Sequence, residues 1–447
     1  MKKTRRARPP VQLLLLLLLT AGSLFGFKYV SQSFDSPWIY KKDFLQGYLI
    51  AKALQAGVDP YLPVPELAQR WMPTTNLTTL KHPTPHTLAI GWLCYPFAWL
   101  PYEQAVKAWF IFELVCLAAA VRLLLHGLGV PWSWRRGAAL SFFAFAWMPI
   151  ADDLWYGQFS LFLTVLWLSA WLVLRAGREA QGGALLGLMM ALKLVGWPVV
   201  LWLAWQRRWR SVGAAALTIG FMHGLAIALH GWPMVRDYYL KYGPLVSAIY
   251  RMSDANLSLW TFGARLFLPF GANFTTTPLI AAPLLAQLTG VGLPVIVLAA
   301  TLWAARRARS FDVGFALLMC ASLVLNPIAW THYLSAASLA LALVLQRLQQ
   351  MDWPRAWVTR LALTVWPCCL PPKLWALITL IITGQAQATG AAFIPFWAVW
   401  ITALPTFAVL SLCWLLWRLD RLPEQSAAAV PLAFPFDPLE KLSPSAS

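Results

Sequence analysis

Long apolar runs recur along the whole 447-residue chain, and the segments between them are short and basic. A chain with this many apolar runs has too little polar surface to cover them in water, so lipid is the solvent that fits. In lipid every backbone group must be paired within the protein, which leaves helices or a closed barrel. The runs are continuous, not alternating, and approach the length of about 20 residues that a crossing helix needs. Only 12% of the residues are charged, about half the share of roughly 25% found in soluble domains. The formal charge of +18 is concentrated in KKTRRAR, WRR (134–136), RAGR (175–178), QRRWR (206–210), ARRAR (305–309) and WRLDR (417–421). Basic clusters between apolar runs are the mark of cytoplasmic loops, and none interleaves with stacking residues as a nucleic-acid site would. The reading is therefore an all-α polytopic membrane protein that binds no nucleic acid.

Charge bias and run length together give a topology. Residues 1–10 form a basic cytoplasmic start. Residues 11–27 read as a retained first span, since no small-x-small cleavage pattern follows it. Residues 28–85 then form an outer loop, 86–100 dip into the outer leaflet, and spans follow at 103–125, 137–150 and 159–174. Residues 183–205 lie between two basic segments that belong on one side. Twenty-three helical residues reach about 34 Å, enough for one crossing and not two, so parity calls for two short helices turning near GWP (196–198). Non-helical backbone at that depth survives only where it is buried in protein or lines a cavity. Further spans at 212–230, 277–304, 312–326, 333–346, 358–383 and 391–417 complete about 10–12 membrane segments within 11–421, and 422–447 reads as a disordered cytoplasmic tail. No internal repeat of the transporter kind is visible. The six cysteines (94, 116, 320, 368, 369 and 413) lack metal spacing and read as small hydrophobes, and no metal site is expected.

Sorting polar residues by side separates two chemistries. Arg and Lys hold the cytoplasmic loops. The outer loops carry Asp43, Asp59, His82, His86, Asp152, Asp153, Asp237, Asp254, Asn256, Asn326 and His332 among many aromatic residues. Polar groups at the face of an apolar bundle mark a functional site by default, although the tryptophans also suit an interfacial belt. In YKKDFLQGYLIAKALQAG the apolar positions recur at three and four residues, which predicts an amphipathic helix over 44–56 closed by Gly57. Asp43 with Gln46 three residues on matches a capping box; a carboxylate at a cavity mouth could equally act as general base. Asp59, before Pro60, reads as a turn residue. Asp152 and Asp153 suit acid–base or cation chemistry, or simple solvation. Lys193, alone in MMALKLVGWP, is costly to bury unless it snorkels or meets an anion such as a lipid-linked phosphate. His82 and His332 could bind phosphate or sugar hydroxyls, or sit at the interface. Asn-x-Thr/Ser matches at Asn76, Asn256 and Asn273 arise readily by chance and carry no assignment. No nucleotide-binding or zinc-protease motif is present.

These landmarks in order resemble glycosyltransferase family 87, polytopic GT-C enzymes that use polyprenyl-phosphate mannose. The resemblance rests on an acidic residue before the first-loop helix and on AxALxAGxDPY. It continues through HPTPHTLAIGWLCYPFAWLPYEQAVKAWF, YGQFSLFL, GLMMALKLVGWPVVL, ANLSLWTFGARLF and NPIAWTHYL. Lys-Asp-Phe stands where related families have two acids, KLVGWP where Lys-Pro is commoner, and HPTP where Tyr-Pro-Pro is usual. The resemblance implies a GT-C-type helical bundle, multi-pass in the plasma (inner) membrane, with both termini cytoplasmic and an extracytoplasmic site. It implies an inverting transfer of a hexose from a polyprenyl-phosphate donor to a glycan or glycolipid acceptor, with no cofactor beyond the lipid-linked donor. Asp43 would be the base; Lys193, His82 and His332 would hold the donor phosphate; Gln158, Asp153, Asn256 and Trp260 would line the sugar and acceptor pocket. A transporter or flippase would instead show inverted repeats, and a lipid-linked glycan polymerase or ligase would centre on a large late loop.

Overall fold

The computed structural model describes residues 9–73, 81–253, 255–269, 274–370 and 392–423. The basic start up to residue 8, Asn76, Asp254, Asn273, the later half of the expected span 358–383 and the tail from 424 lie outside them. Among the described residues the regular secondary structure is helical except for one short parallel pair, Phe274–Thr277 with Ala392–Pro395.

Among the described residues three helices pass a test of length and apolarity for crossing a bilayer: Tyr102–Gly127, Trp209–His230 and Pro283–Arg306. A fourth span arises if Phe396–Thr402 and Leu404–Asp420, bent by 49° at their junction, count as one. Of the other expected spans, 11–27 lies within the unbroken 24-residue helix Pro9–Gln32, and the rest are shorter or interrupted among the described residues. An apolar run can hold two helices and a break: 137–150 holds part of Trp134–Ala144 and the start of Met148–Tyr156. The helix Phe311–Val324 is buried at every position from Val313 onward, so it is hydrophobic all round because protein, not lipid, surrounds it.

The segment between RAGRE and QRRWR folds back on itself. The helix Glu179–Leu192 breaks at Lys193–Gly196, and Trp197–Trp205 returns. Arg208 closes the loop, its Nε 3.1 Å from Glu179 Oε1 and a guanidinium nitrogen 3.0 Å from the Leu174 carbonyl. Trp209–His230 then runs beside Glu179–Leu192 in the same direction, with Gly183 against the Ser211 backbone and Gly187 against that of Ala215. A Cβ at Gly183 would overlap the Ser211 carbonyl. We therefore expect Gly183→Ala to destabilise the protein by about 1–3 kcal/mol, read as a lower thermal midpoint in detergent.

The basic loops gather at one end of the bundle. Arg175 bonds the Gly127 carbonyl at 2.7 Å and pairs with Asp312 at 3.3 Å. The Arg309 amide donates to Asp420, and Arg347 to the Leu422 carbonyl. The acidic and histidine-bearing loops collect away from these contacts, around one large cavity.

Candidate active site

The cavity has a volume of about 810 Å³ and is walled by segments far apart in sequence: 43–46, 82–86, 152–158, 192–194, 238–257, 326–333 and 402–405. Asp43 enters from the helix Phe44–Ala56, which ends on Gly57 in the left-handed conformation (φ 65°). The helix is less amphipathic than its spacing suggests, since every residue from Phe44 to Ala51 is buried. The capping expectation for Asp43 is corrected. Its backbone is already helical (φ −68°, ψ −22°), and its side chain makes no bond to the first-turn amides. A capping side chain needs an extended backbone to swing back over the helix start. The carboxylate turns into the cavity instead, where Gln46 Nε2 donates to Oδ1 at 3.3 Å and Gln158 Nε2 to Oδ2 at 2.6 Å.

Gln158 joins the acid to the cation. Lys193 Nζ lies 3.5 Å from Gln158 Oε1 and 4.1 Å from the centre of the Tyr333 ring. A carboxylate only accepts and an ammonium only donates, so the Gln158 amide can satisfy both in one orientation. Lys193 itself sits in extended backbone (φ −151°, ψ 126°) just after a helix end. The Thr87 hydroxyl lies 3.0 Å from each of the Ala191 and Leu192 carbonyls and fixes that end.

His82 and His332 both line the cavity, with different freedom. The Pro83 carbonyl, 2.7 Å from His82 Nδ1, can only accept, so Nδ1 donates and Nε2 takes the Tyr250 hydroxyl at 2.7 Å. Both nitrogens of His82 are thus engaged within the protein. His332 Nε2 and His86 Nε2 are buried and have no hydrogen-bond partner among the described residues. Burial, then the charge of Lys193, holds His86 well below the ordinary histidine range, so it faces the cavity as a neutral ring. The sequence puts His86 on the outer side without singling it out; the second His of HPTPH is the available signal. Tyr238, whose hydroxyl bonds the Pro85 carbonyl at 3.0 Å, and Tyr250 carry no such signal.

Three expected pocket residues stand outside the cavity lining. Asp153 accepts from the Ser160 and Leu161 amides at 3.2 and 2.8 Å and so anchors the start of Ser160–Arg175. Its neighbour Asp152 faces the cavity, bonded by Tyr29 at 2.9 Å and by the Thr331 hydroxyl. Asn256 bonds the Tyr250 and Pro327 carbonyls and the Ser258 and Ala329 amides. Trp260 Nε1 bonds the Leu325 carbonyl at 2.7 Å. Asn256 and Trp260 lace one cavity wall to the next, which leaves their polar atoms no capacity for a sugar. Asp59 makes a turn, its Oδ1 taking the Tyr61 amide at 2.8 Å.

The sequence model of glycosyltransferase family 87 matches residues 87–327, more than half of the chain. The chain belongs to glycosyltransferase family 87. A protein of Mycolicibacterium smegmatis, named polyprenol-phosphate-mannose-dependent alpha-(1-2)-phosphatidylinositol pentamannoside mannosyltransferase, is 27% identical over 241 residues. That stretch is 54% of this chain and 55% of that protein, so the two are alike over about half their length. No solved structure matches. Gln158 and Lys193 of this family 87 chain lie within the matched span; Asp43, His82, His86 and His332 come to the cavity from outside it.

Proposed function

We propose that this chain is a membrane-embedded, inverting glycosyltransferase that moves a hexose, mannose by analogy with the relative's name, from a polyprenyl-phosphate donor to an acceptor hydroxyl. In this proposal the basic end faces the cytoplasm and the cavity the opposite side, with the site open to a glycan or glycolipid acceptor. The observation that carries it is the line Asp43–Gln158–Lys193 across one cavity, with a base-competent carboxylate at one end and a cation at the other.

The chemistry follows from that line. Asp43 takes the proton of the acceptor hydroxyl as its oxygen attacks the anomeric carbon. The bond from that carbon to the phosphate oxygen breaks, and polyprenyl phosphate leaves as an anion. One displacement with one base inverts configuration, unlike the two-carboxylate retaining scheme. Lys193, with the open Nε2 atoms of His86 and His332, meets the growing negative charge of the leaving group, which is where fixed polar groups contribute most. His82, tied to Tyr250, supports the loop that carries His86.

Purified protein in nanodiscs, supplied with polyprenyl-phosphate sugars, should release polyprenyl phosphate only when acceptor is present. Release that ignores the acceptor, or none with any hexose donor, would overturn the reading. Labelling of a cysteine placed at position 43 only from the cytoplasmic face would reverse the orientation. The pH profile has a defined sign. Burial raises the pKa of Asp43, and the bonds from Gln158 and the charge of Lys193 offset this in part. The base works deprotonated, so kcat/KM should fall as pH drops, with a midpoint above the usual aspartate value of about 4.

A further inference from the structure

Lys42, next to the base, has no part in the reaction above, yet it is 1% exposed and tightly held. Its Nζ lies 2.6 Å from Ser33 Oγ, 2.5 Å from the Trp155 carbonyl and 3.3 Å from that of Leu154, and the Phe34 ring centre is 4.7 Å away. An ammonium has three donors, and these acceptors use them all. Leu154 and Trp155 belong to the last turn of Met148–Tyr156, the negative end of a helix, where a cation is favoured. The helix stops at Gly157 (φ 64°), whose absent Cβ leaves room for Phe44, and Gln158 follows. One turn of chain therefore holds two adjacent residues: its carbonyls hold Lys42, and its Gln158 amide holds the Asp43 carboxylate.

Resting on the glycosyltransferase reading, we infer that Lys42 is a positioning residue, which clamps the 154–158 turn to the 42–43 segment and so sets the base against Gln158 and Lys193. A merely structural lysine would affect stability and leave the balance of kcat and KM alone. A clamp acts on kcat, because the carboxylate is displaced while the donor's contacts elsewhere in the cavity remain.

The test compares wild type, Lys42→Met and Ser33→Ala in nanodiscs, by donor and acceptor kinetics and by hydrogen exchange of peptides covering 40–48 and 152–160. Lys42→Met should lower kcat by about 100-fold, the order of cost of a 1 Å misplacement, with donor KM within about twofold. Protection should fall together in both peptides. Ser33→Ala, which removes one acceptor and no charge, should lower kcat by about fivefold on the same scale and keeps the question decidable if Lys42→Met does not fold. Unchanged protection at 152–160 in a folded variant, or lost protection with full turnover, overturns the inference. A wild type that transfers no sugar overturns the reading of function instead, and the exchange data still decide whether the clamp exists.

Discussion

Asp43→Asn should lose turnover by about 10³-fold, within the range of 10²–10⁴ that a positioned general base contributes, while donor binding is kept. The substitution is nearly isosteric. The amide oxygen of the new side chain can still accept from Gln158 Nε2, as the carboxylate does at 2.6 Å, so the shorter bond is kept while the longer one from Gln46 Nε2, at 3.3 Å, is lost with the proton acceptor. The check is single-turnover transfer alongside equilibrium binding of the donor. Because Asp43 makes no cap bond, its removal should cost the helix Phe44–Ala56 little. A variant with full transfer would end the assignment of Asp43 as base. Loss of both transfer and fold would point to a structural role that the geometry does not support.

Lys193→Met should lower transfer by about 10²–10³-fold, the usual loss when one preorganised group facing developing charge is removed, and should also weaken donor binding. A second effect separates this from loss of fold. The positive charge of Lys193 lowers the pKa of Asp43 against the effect of burial. Without it the base holds its proton to higher pH, so the acid limb of the residual activity should move upward. Lys193→Arg keeps the charge but places it on a planar fork, and should leave that limb nearer its original position. A Lys193→Met protein with an unshifted limb would mean that cation and base do not share one field, contrary to their bridging by Gln158.

How much of this was legible in the residues depends on how local each cause is. The helix at 44–56 and its glycine stop follow from spacing within one segment, and the cost of a lysine in an apolar run marks Lys193. The parity of two basic loops called for a fold-back, and the Arg208–Glu179 pair realises it. Other features depend on contacts that no local pattern records. The role of Asn256 is set by Pro327 and Ala329, more than seventy positions away. Which of His82 and His86 keeps an open nitrogen is decided by Tyr250. Whether Asp152 or Asp153 faces the cavity depends on the rotation of a nine-residue helix about its axis. Asp43 matched a capping box in letters but not in backbone angles, which sequence does not display. Hydropathy registers a run and not the break within it, so 137–150 reads as one span although it holds parts of two helices.

The Thr87 hydroxyl, held against the Ala191 and Leu192 carbonyls, makes one mechanical part of two stretches about a hundred residues apart. One carries His86 and the other presents Lys193. In the proposed reaction, a donor phosphate arriving between them would meet a preset jaw instead of two side chains that must each find it. The ordering of that jaw is complete when the chain has folded, and preorganisation of this kind removes a cost that would otherwise be met at every binding event.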